Sequence, residues 1–277
     1  MKHTENKFTI EGLGELYYQG WLPDGDVKAV LFIAHGLAEH GGRYINLVNQ
    51  VVPLGFAVYA MDQYGHGRSD GERVYINRFE DYIHPLKTFL DMVAKWHPGK
   101  KVFLMGHSMG GLIAAVYLLD HQEDFAGAII SAPLTKIPSN INAFSRIVVQ
   151  ILANVIPKAR LVGVDSSGIS RDPDEVARYV NDPLVYTGNS TTKLGAETLR
   201  AMEKVTAGRA KISLPILIVQ GGADPLVDLS GAQELYDAIS SEDKTLKYYD
   251  GYYHEMINDI GKEVVLEDLC QWLEAHL

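Results

Sequence analysis

The chain has 277 residues, 47% apolar and 22% charged, which is long and apolar enough to bury a sizeable core without covalent staples. A single cysteine, Cys270, excludes an internal disulfide framework and any cysteine-based zinc or iron–sulfur cluster. Twenty-five Lys and Arg against 35 Asp and Glu leave a net charge of −10, which excludes the clustered cations of a nucleic-acid-binding face.

In chain order, Met1–Ile10 is polar and unlike a secretory leader, so the expectation is a cytoplasmic chain, with a short strand at Phe8–Ile10. Further strands are predicted at Leu16–Trp21, Ala29–Ala34, Phe56–Met61, Lys101–Met105, Gly127–Ser131, Ile216–Gln220 and Thr245–Tyr249. Several of these, such as Val30-Leu31-Phe32-Ile33, are apolar without alternation, the pattern of strands buried on both faces. Between them lie helical patterns near Arg43–Val52, Phe79–Trp96, Met109–His121, Leu229–Ile239 and Lys262–His276. The alternation predicts a mostly parallel sheet of about eight strands flanked by helices. No run approaches the roughly 18 consecutive apolar residues of a membrane span.

The interval from Leu134 to Leu214 is far longer than a crossover connection requires, so an insertion with its own structure is expected there. Residues 134–211 read as a cap, inserted between strands 6 and 7 of a core made of 1–133 and 212–277. Its first helix, Ile141–Ile156, carries a narrow polar stripe of Asn142, Arg146, Gln150 and Asn154 in an otherwise apolar surface. So wide an apolar surface must rest on the protein, a ligand or lipid. Ile147 and Ile151 are taken as acyl contacts on its inner side, and contact of its outer side with a membrane or micelle is the alternative use of that surface. A second cap helix is predicted at Thr191–Val205.

The strand at Lys101–Met105 runs into Gly106-His107-Ser108-Met109-Gly110 and then a helix. This is G-x-S-x-G in the strand–turn–helix setting that exposes a serine hydroxyl beside a helix N-terminus. A nucleophilic serine needs a base, and the base needs an orienting carboxylate. Asp224 follows the strand at Ile216–Gln220, and His254 follows the last strand, so Ser108, Asp224 and His254 occur in the required order at strand ends. Asp228 competes for the carboxylate role but reads better as a helix N-cap. His107 is expected to pack away from Ser108. The oxyanion donors are the backbone amides of Met109 and of Leu37, the latter aimed by a turn at Gly36. Gly65-His66-Gly67-Arg68-Ser69-Asp70 fails the dinucleotide fingerprint, and no H-E-x-x-H occurs, so neither cofactor nor metal is expected.

With these residues assembled, the sequence resembles the monoacylglycerol lipases of the α/β-hydrolase fold. The resemblance is carried by His35-Gly-Leu-Ala-Glu-His-Gly-Gly-Arg-Tyr44, Asp62 with Gly65–Ser69, Gly106–Gly111, Ser170–Pro173, Asp182–Leu184 and Tyr253-His254. It implies a Ser108–Asp224–His254 triad, a mobile apolar cap over an acyl chain, and a lipid substrate. It further implies that Glu39 and Arg43 organise the end of the pocket that receives glycerol. By spacing alone, that pair could equally be a weak surface bridge along a helix start. Ile257 stands where mammalian members carry a histidine, and Val227 occupies a turn near which they carry cysteine. Lysophospholipase, short-chain esterase or thioesterase activity is the nearer alternative, and a non-catalytic binding module the more distant one.

Overall fold

The computed structural model describes residues 1–137, 142–163 and 165–277. The elements, in chain order, are β1 (Lys2–Ile10), β2 (Gly14–Leu22), β3 (Ala29–Ala34), α1 (Ile45–Val51), β4 (Phe56–Met61), α2 (Glu80–Trp96), β5 (Lys101–His107), α3 (Met109–His121) and β6 (Gly127–Ser131). They continue with α4 (Ala143–Val155), β7 (Arg160–Val162), α5 (Pro173–Asn181), β8 (Ser190–Thr191), α6 (Thr192–Gly208), β9 (Ile216–Gly221), α7 (Ser230–Ala238), β10 (Lys244–Tyr249) and α8 (Lys262–Ala275). Eight strands form one sheet in the order β1-β2-β4-β3-β5-β6-β9-β10. From β4 to β10 all neighbours are parallel, whereas β1 and β2 pair antiparallel at one edge.

Apolar runs without alternation follow from burial on both faces. Val30 and Phe32 of β3 face a core shared with α2, α3, α6 and α7. Their neighbours Leu31 and Ile33 face the opposite core, built with α1 and α8. Each fully buried side chain of this kind contributes about 1.5–3 kcal/mol relative to exposure, so both faces of the sheet are pinned.

Some elements differ from expectation. The segment expected as one helix from Arg43 is broken into a 3₁₀ turn at Gly41–Tyr44, the seven-residue α1, and a second 3₁₀ turn at Val52–Leu54. Pro53 accounts for the end of α1, because proline supplies no amide to continue the helical ladder. Strand β1 is longer than Phe8–Ile10 because its polar residues from Lys2 pair with β2 while facing solvent on this edge.

Between β6 and β9, the sixth and seventh strands of the sheet in chain order, stand α4, α5, α6 and the small β7–β8 pair. Thr191 caps α6 by accepting the Leu194 amide, and α6 packs on α3 of the core. Helix α4 packs on α6 through Ala153, which is buried, and Val149. Ile141, the expected start of this helix, lies outside the described residues. Among the described residues no helix is long and apolar enough to cross a membrane.

Candidate active site

Strand β5 delivers the chain to a turn where Ser108 adopts φ 54° and ψ −118°, a strained backbone for any residue with a side chain. Two glycines make the turn possible. A Cβ on Gly106 would lie 2.4 Å from the Gly110 carbonyl oxygen, and one on Gly110 would lie 2.0 Å from that of Ala34. The Ser108 amide donates to Ser131 O at 2.9 Å, and its carbonyl accepts from Leu112 and Leu134. The residue thus stands fixed at the N-terminus of α3 and the carboxyl edge of the sheet.

Asp224 lies in the turn after β9 and is buried. Its Oδ1 accepts the Leu226 and Val227 amides at 2.8 and 3.3 Å. Its Oδ2 accepts from Gln220 Nε2 at 2.9 Å and from His254 Nδ1 at 2.7 Å. Four accepted bonds hold the carboxylate rigid, and the last fixes the imidazole with Nδ1 protonated and Nε2 free to accept. The rival Asp228 instead accepts from the Ser230 amide at 3.0 Å, ahead of α7. Asp259 is tied to Arg171 at 2.9 Å.

Ser108 and His254 line one cavity of about 90 Å³. In this conformation no hydrogen bond joins the hydroxyl to the imidazole, although both groups line this cavity. His107 does not simply pack away from the site: its ring lies 4.7 Å from that of His254, and its Nδ1 meets Ser131 Oγ at 3.1 Å. Burial, reinforced by His254, holds the His107 imidazole well below its ordinary pKa range, so this neighbour is neutral.

The loop after β3 passes beside the nucleophile, since a Cβ on Gly36 would lie 3.3 Å from Ser108 Cβ. Leu37 lines the cavity, and Met109 is the first residue of α3, where amides have no intrahelical acceptor. Ala38, at φ 67°, turns the chain back, and its carbonyl accepts the Tyr186 amide at 2.8 Å from beyond α5.

Glu39 and Arg43 are not a surface bridge; both are buried. The guanidinium reaches Glu255 at 2.5 Å, Glu175 at 3.1 Å and Glu39 at 3.4 Å, and lies 4.6 Å over the Tyr179 ring. Burial and the charge of Glu255 push the Glu39 carboxyl up to about 7, against the opposing pull of Arg43. Glu39, Glu255 and Tyr179, gathered around Arg43, line the cavity, and Leu134, Ile169, Leu226 and Val227 supply apolar lining. Glu175, Tyr179 and Glu255 were not anticipated; the position of Glu255 immediately after His254 was the one available signal.

Ile147 and Ile151 require a correction. They do not line the Ser108 cavity but are exposed, along an outer groove with Arg146, Gln150 and Leu199. The cause is the register of α4. Arg146 reaches Glu203 at 3.0 Å and Gln150 reaches the Ala196 carbonyl at 3.4 Å, so the polar stripe turns toward α6 and the isoleucines turn out.

Comparison with known proteins identifies the family of the chain. Residues 25–261 match the family described as serine aminopeptidase, S33. The chain is 32% identical to a monoacylglycerol lipase of Mycolicibacterium smegmatis, over 99% of each chain. It is 35% identical to a monoglyceride lipase of Homo sapiens, over 94% of this chain and 87% of that one. The crystal structure of a monoacylglycerol lipase from Paleococcus ferrophilus superposes with a TM-score of 0.85 at 30% identity, covering 95% of this chain and 99% of the other. The strained serine turn on a mostly parallel sheet, the imidazole–carboxylate pair beside it and these full-length similarities lead to one assignment: the chain belongs to the monoacylglycerol lipase family of α/β-hydrolases.

Proposed function

We propose that the protein is a serine ester hydrolase that cleaves monoacylglycerols to fatty acid and glycerol. Ser108 Oγ attacks the ester carbonyl carbon as its proton passes to His254 Nε2, while Asp224 holds the ring and stabilises the imidazolium. The oxyanion is received by the amides of Leu37 and Met109, at the positive end of α3. Collapse of the tetrahedral intermediate breaks the bond to the glycerol oxygen, which takes the proton from Nε2. Water, deprotonated by the same imidazole, then attacks the acyl-enzyme and frees the fatty acid and the serine. The protons balance within these three side chains, the substrate and water.

The observation that carries this reading is the 2.7 Å His254–Asp224 bond opening onto the same cavity as Ser108. The acyl chain is assigned to the apolar lining of Leu134, Ile169, Leu226 and Val227, and the glycerol to the polar lining of Glu39, Glu255 and Tyr179. Residues 134–211 act as a cap on the core of 1–133 and 212–277. The outer face of α4, with Phe144, Ile147, Ile151 and Val155 exposed, rests on the lipid surface from which substrate is drawn.

The test combines two measurements. Labelling of Ser108 by a fluorophosphonate, with loss of labelling and of at least 1,000-fold in turnover in Ser108→Ala at unchanged thermal stability, is the expected result. Wild-type rates on monooleoylglycerol, lysophosphatidylcholine and a short nitrophenyl ester should rank the monoacylglycerol first. Substantial activity in Ser108→Ala would move the nucleophile elsewhere, and a preference for lysophospholipid would replace the substrate assignment.

A further inference from the structure

The proposed oxyanion donor on the β3 loop is a backbone amide, and a loop amide is only as well aimed as the peptide plane that carries it. Both polar groups of Gly36 are held by buried side chains. Its N–H donates to Glu39 Oε1 at 2.6 Å, an oxygen that also accepts from Tyr44 Oη at 2.9 Å. Its carbonyl lies 2.8 Å from His35 Nδ1. The other nitrogen of that ring, Nε2, accepts the backbone N–H of Gln63 at 2.8 Å, from the loop after β4.

This last contact settles the tautomer. A backbone N–H can only donate, so Nε2 is unprotonated and the proton sits on Nδ1, donating to the Gly36 carbonyl. His35 is fully buried, and burial together with His66, whose ring lies 5.5 Å away, keeps the imidazole well below its ordinary range and therefore neutral. The Gly36 carbonyl and the Leu37 N–H belong to one planar trans unit and point in opposite directions; no cis peptide bond occurs among the described residues. Fixing the carbonyl on the His35 side therefore turns the Leu37 N–H to the other side, and that amide has no acceptor among the described residues.

We propose that His35, with Glu39 as its counterpart on the preceding amide, is a positioning residue that locks the Gly36–Leu37 peptide so that the Leu37 N–H meets the developing oxyanion. The inference rests on the reading of Ser108 as nucleophile. His35 touches neither substrate nor Ser108 in this role; it acts through one peptide plane.

The test compares His35→Asn with His35→Leu. The two side chains are close in size, but only asparagine places an N–H donor where Nδ1 stood. The expected result is a kcat for His35→Asn at least tenfold above that of His35→Leu, with KM within threefold of wild type in both. Affinity for an alkyl boronic acid, which forms a tetrahedral oxyanion-like adduct on serine, should fall in proportion to kcat. Equal kcat in the two variants, or a loss confined to KM, would overturn the proposal. Should His35→Leu fail to fold, ¹⁵N chemical shifts of the wild-type ring decide: a proton on Nδ1 is required, and one on Nε2 refutes the arrangement. Wild-type enzyme that neither turns over monooleoylglycerol nor takes fluorophosphonate at Ser108 would instead sink the underlying reading, so the two failures are separable.

Discussion

Glu39 occupies a position where a negative charge is unfavourable: buried, next to Glu255, and sharing one guanidinium with two other carboxylates. Its carboxyl is raised from an ordinary 4.5 to about 7. The folded protein therefore keeps a proton that the unfolded chain releases between those values, so stability falls as pH rises through that window and levels off above it. Glu39→Gln keeps an acceptor for the Gly36 amide but has no proton to lose. Its Tm should exceed wild type by several degrees at pH 8, reflecting up to about 3 kcal/mol, and the gap should close toward pH 4.5. Calorimetry across pH 4.5–8 checks this, and a gap independent of pH would contradict it. The sequence brought Ser108, Asp224 and His254 to notice because a nucleophile, an acid and a base in that order at strand ends is a chemical requirement legible in one dimension. It did not bring Glu175 or Tyr179 to notice, because their contacts with Arg43 exist only after α5 has folded over the loop that follows β3.

The critical junction between elements is the crossing of the α3 N-terminus over the end of β3. A methyl group on Gly110 would sit 2.0 Å from the Ala34 carbonyl oxygen and 2.5 Å from that of His35. Both are backbone atoms, so no rotamer change relieves the overlap, and α3 would have to withdraw, carrying Ser108 and Met109 away from Leu37. Gly110→Ala should therefore lower unfolding stability by roughly 3 kcal/mol or more and abolish fluorophosphonate labelling. Gly25→Ala is the control, because nothing lies within 4 Å of a Cβ there; urea denaturation should find it within about 0.5 kcal/mol of wild type. The central strands and the large helices were legible because burial on both faces, or on one stripe, writes itself into apolar spacing. Helix α5 was not: it is short, starts at a proline and is mostly polar, so it reads as a punctuated loop. Its stabilisation comes from the Asp172 side chain capping the Asp174 amide and from Tyr179 packing with Ile169 and Val185.

For the molecule as a whole, the orientation of α4 decides which apolar side chains are left in solvent. Periodicity revealed a wide apolar surface but not which part would face the protein, because register depends on the partner helix. Small Ala153 and Val149 approach the body, while Phe144 and Val155 remain 74% and 72% exposed and Ile147 and Ile151 more than half exposed. Solvent exposure of four such residues on one helix is unfavourable in water and favourable at a lipid surface, where monoacylglycerol partitions. If this face docks on lipid as proposed, a net charge of −10 offers no attraction to anionic headgroups, so docking on uncharged phosphatidylcholine would be driven by apolar burial and be insensitive to salt. Replacing Ile147 and Ile151 together by serine removes two half-exposed aliphatic side chains, about 1 kcal/mol each of transferable surface. The double variant should unfold at the wild-type temperature and hydrolyse a soluble short-chain nitrophenyl ester at the wild-type rate. On monooleoylglycerol in phosphatidylcholine vesicles its apparent KM should rise about tenfold or more, at low and high salt alike. An equal loss on both substrates would place these isoleucines in the chemistry after all, and no loss on either would leave the outer face of α4 without a role in binding lipid.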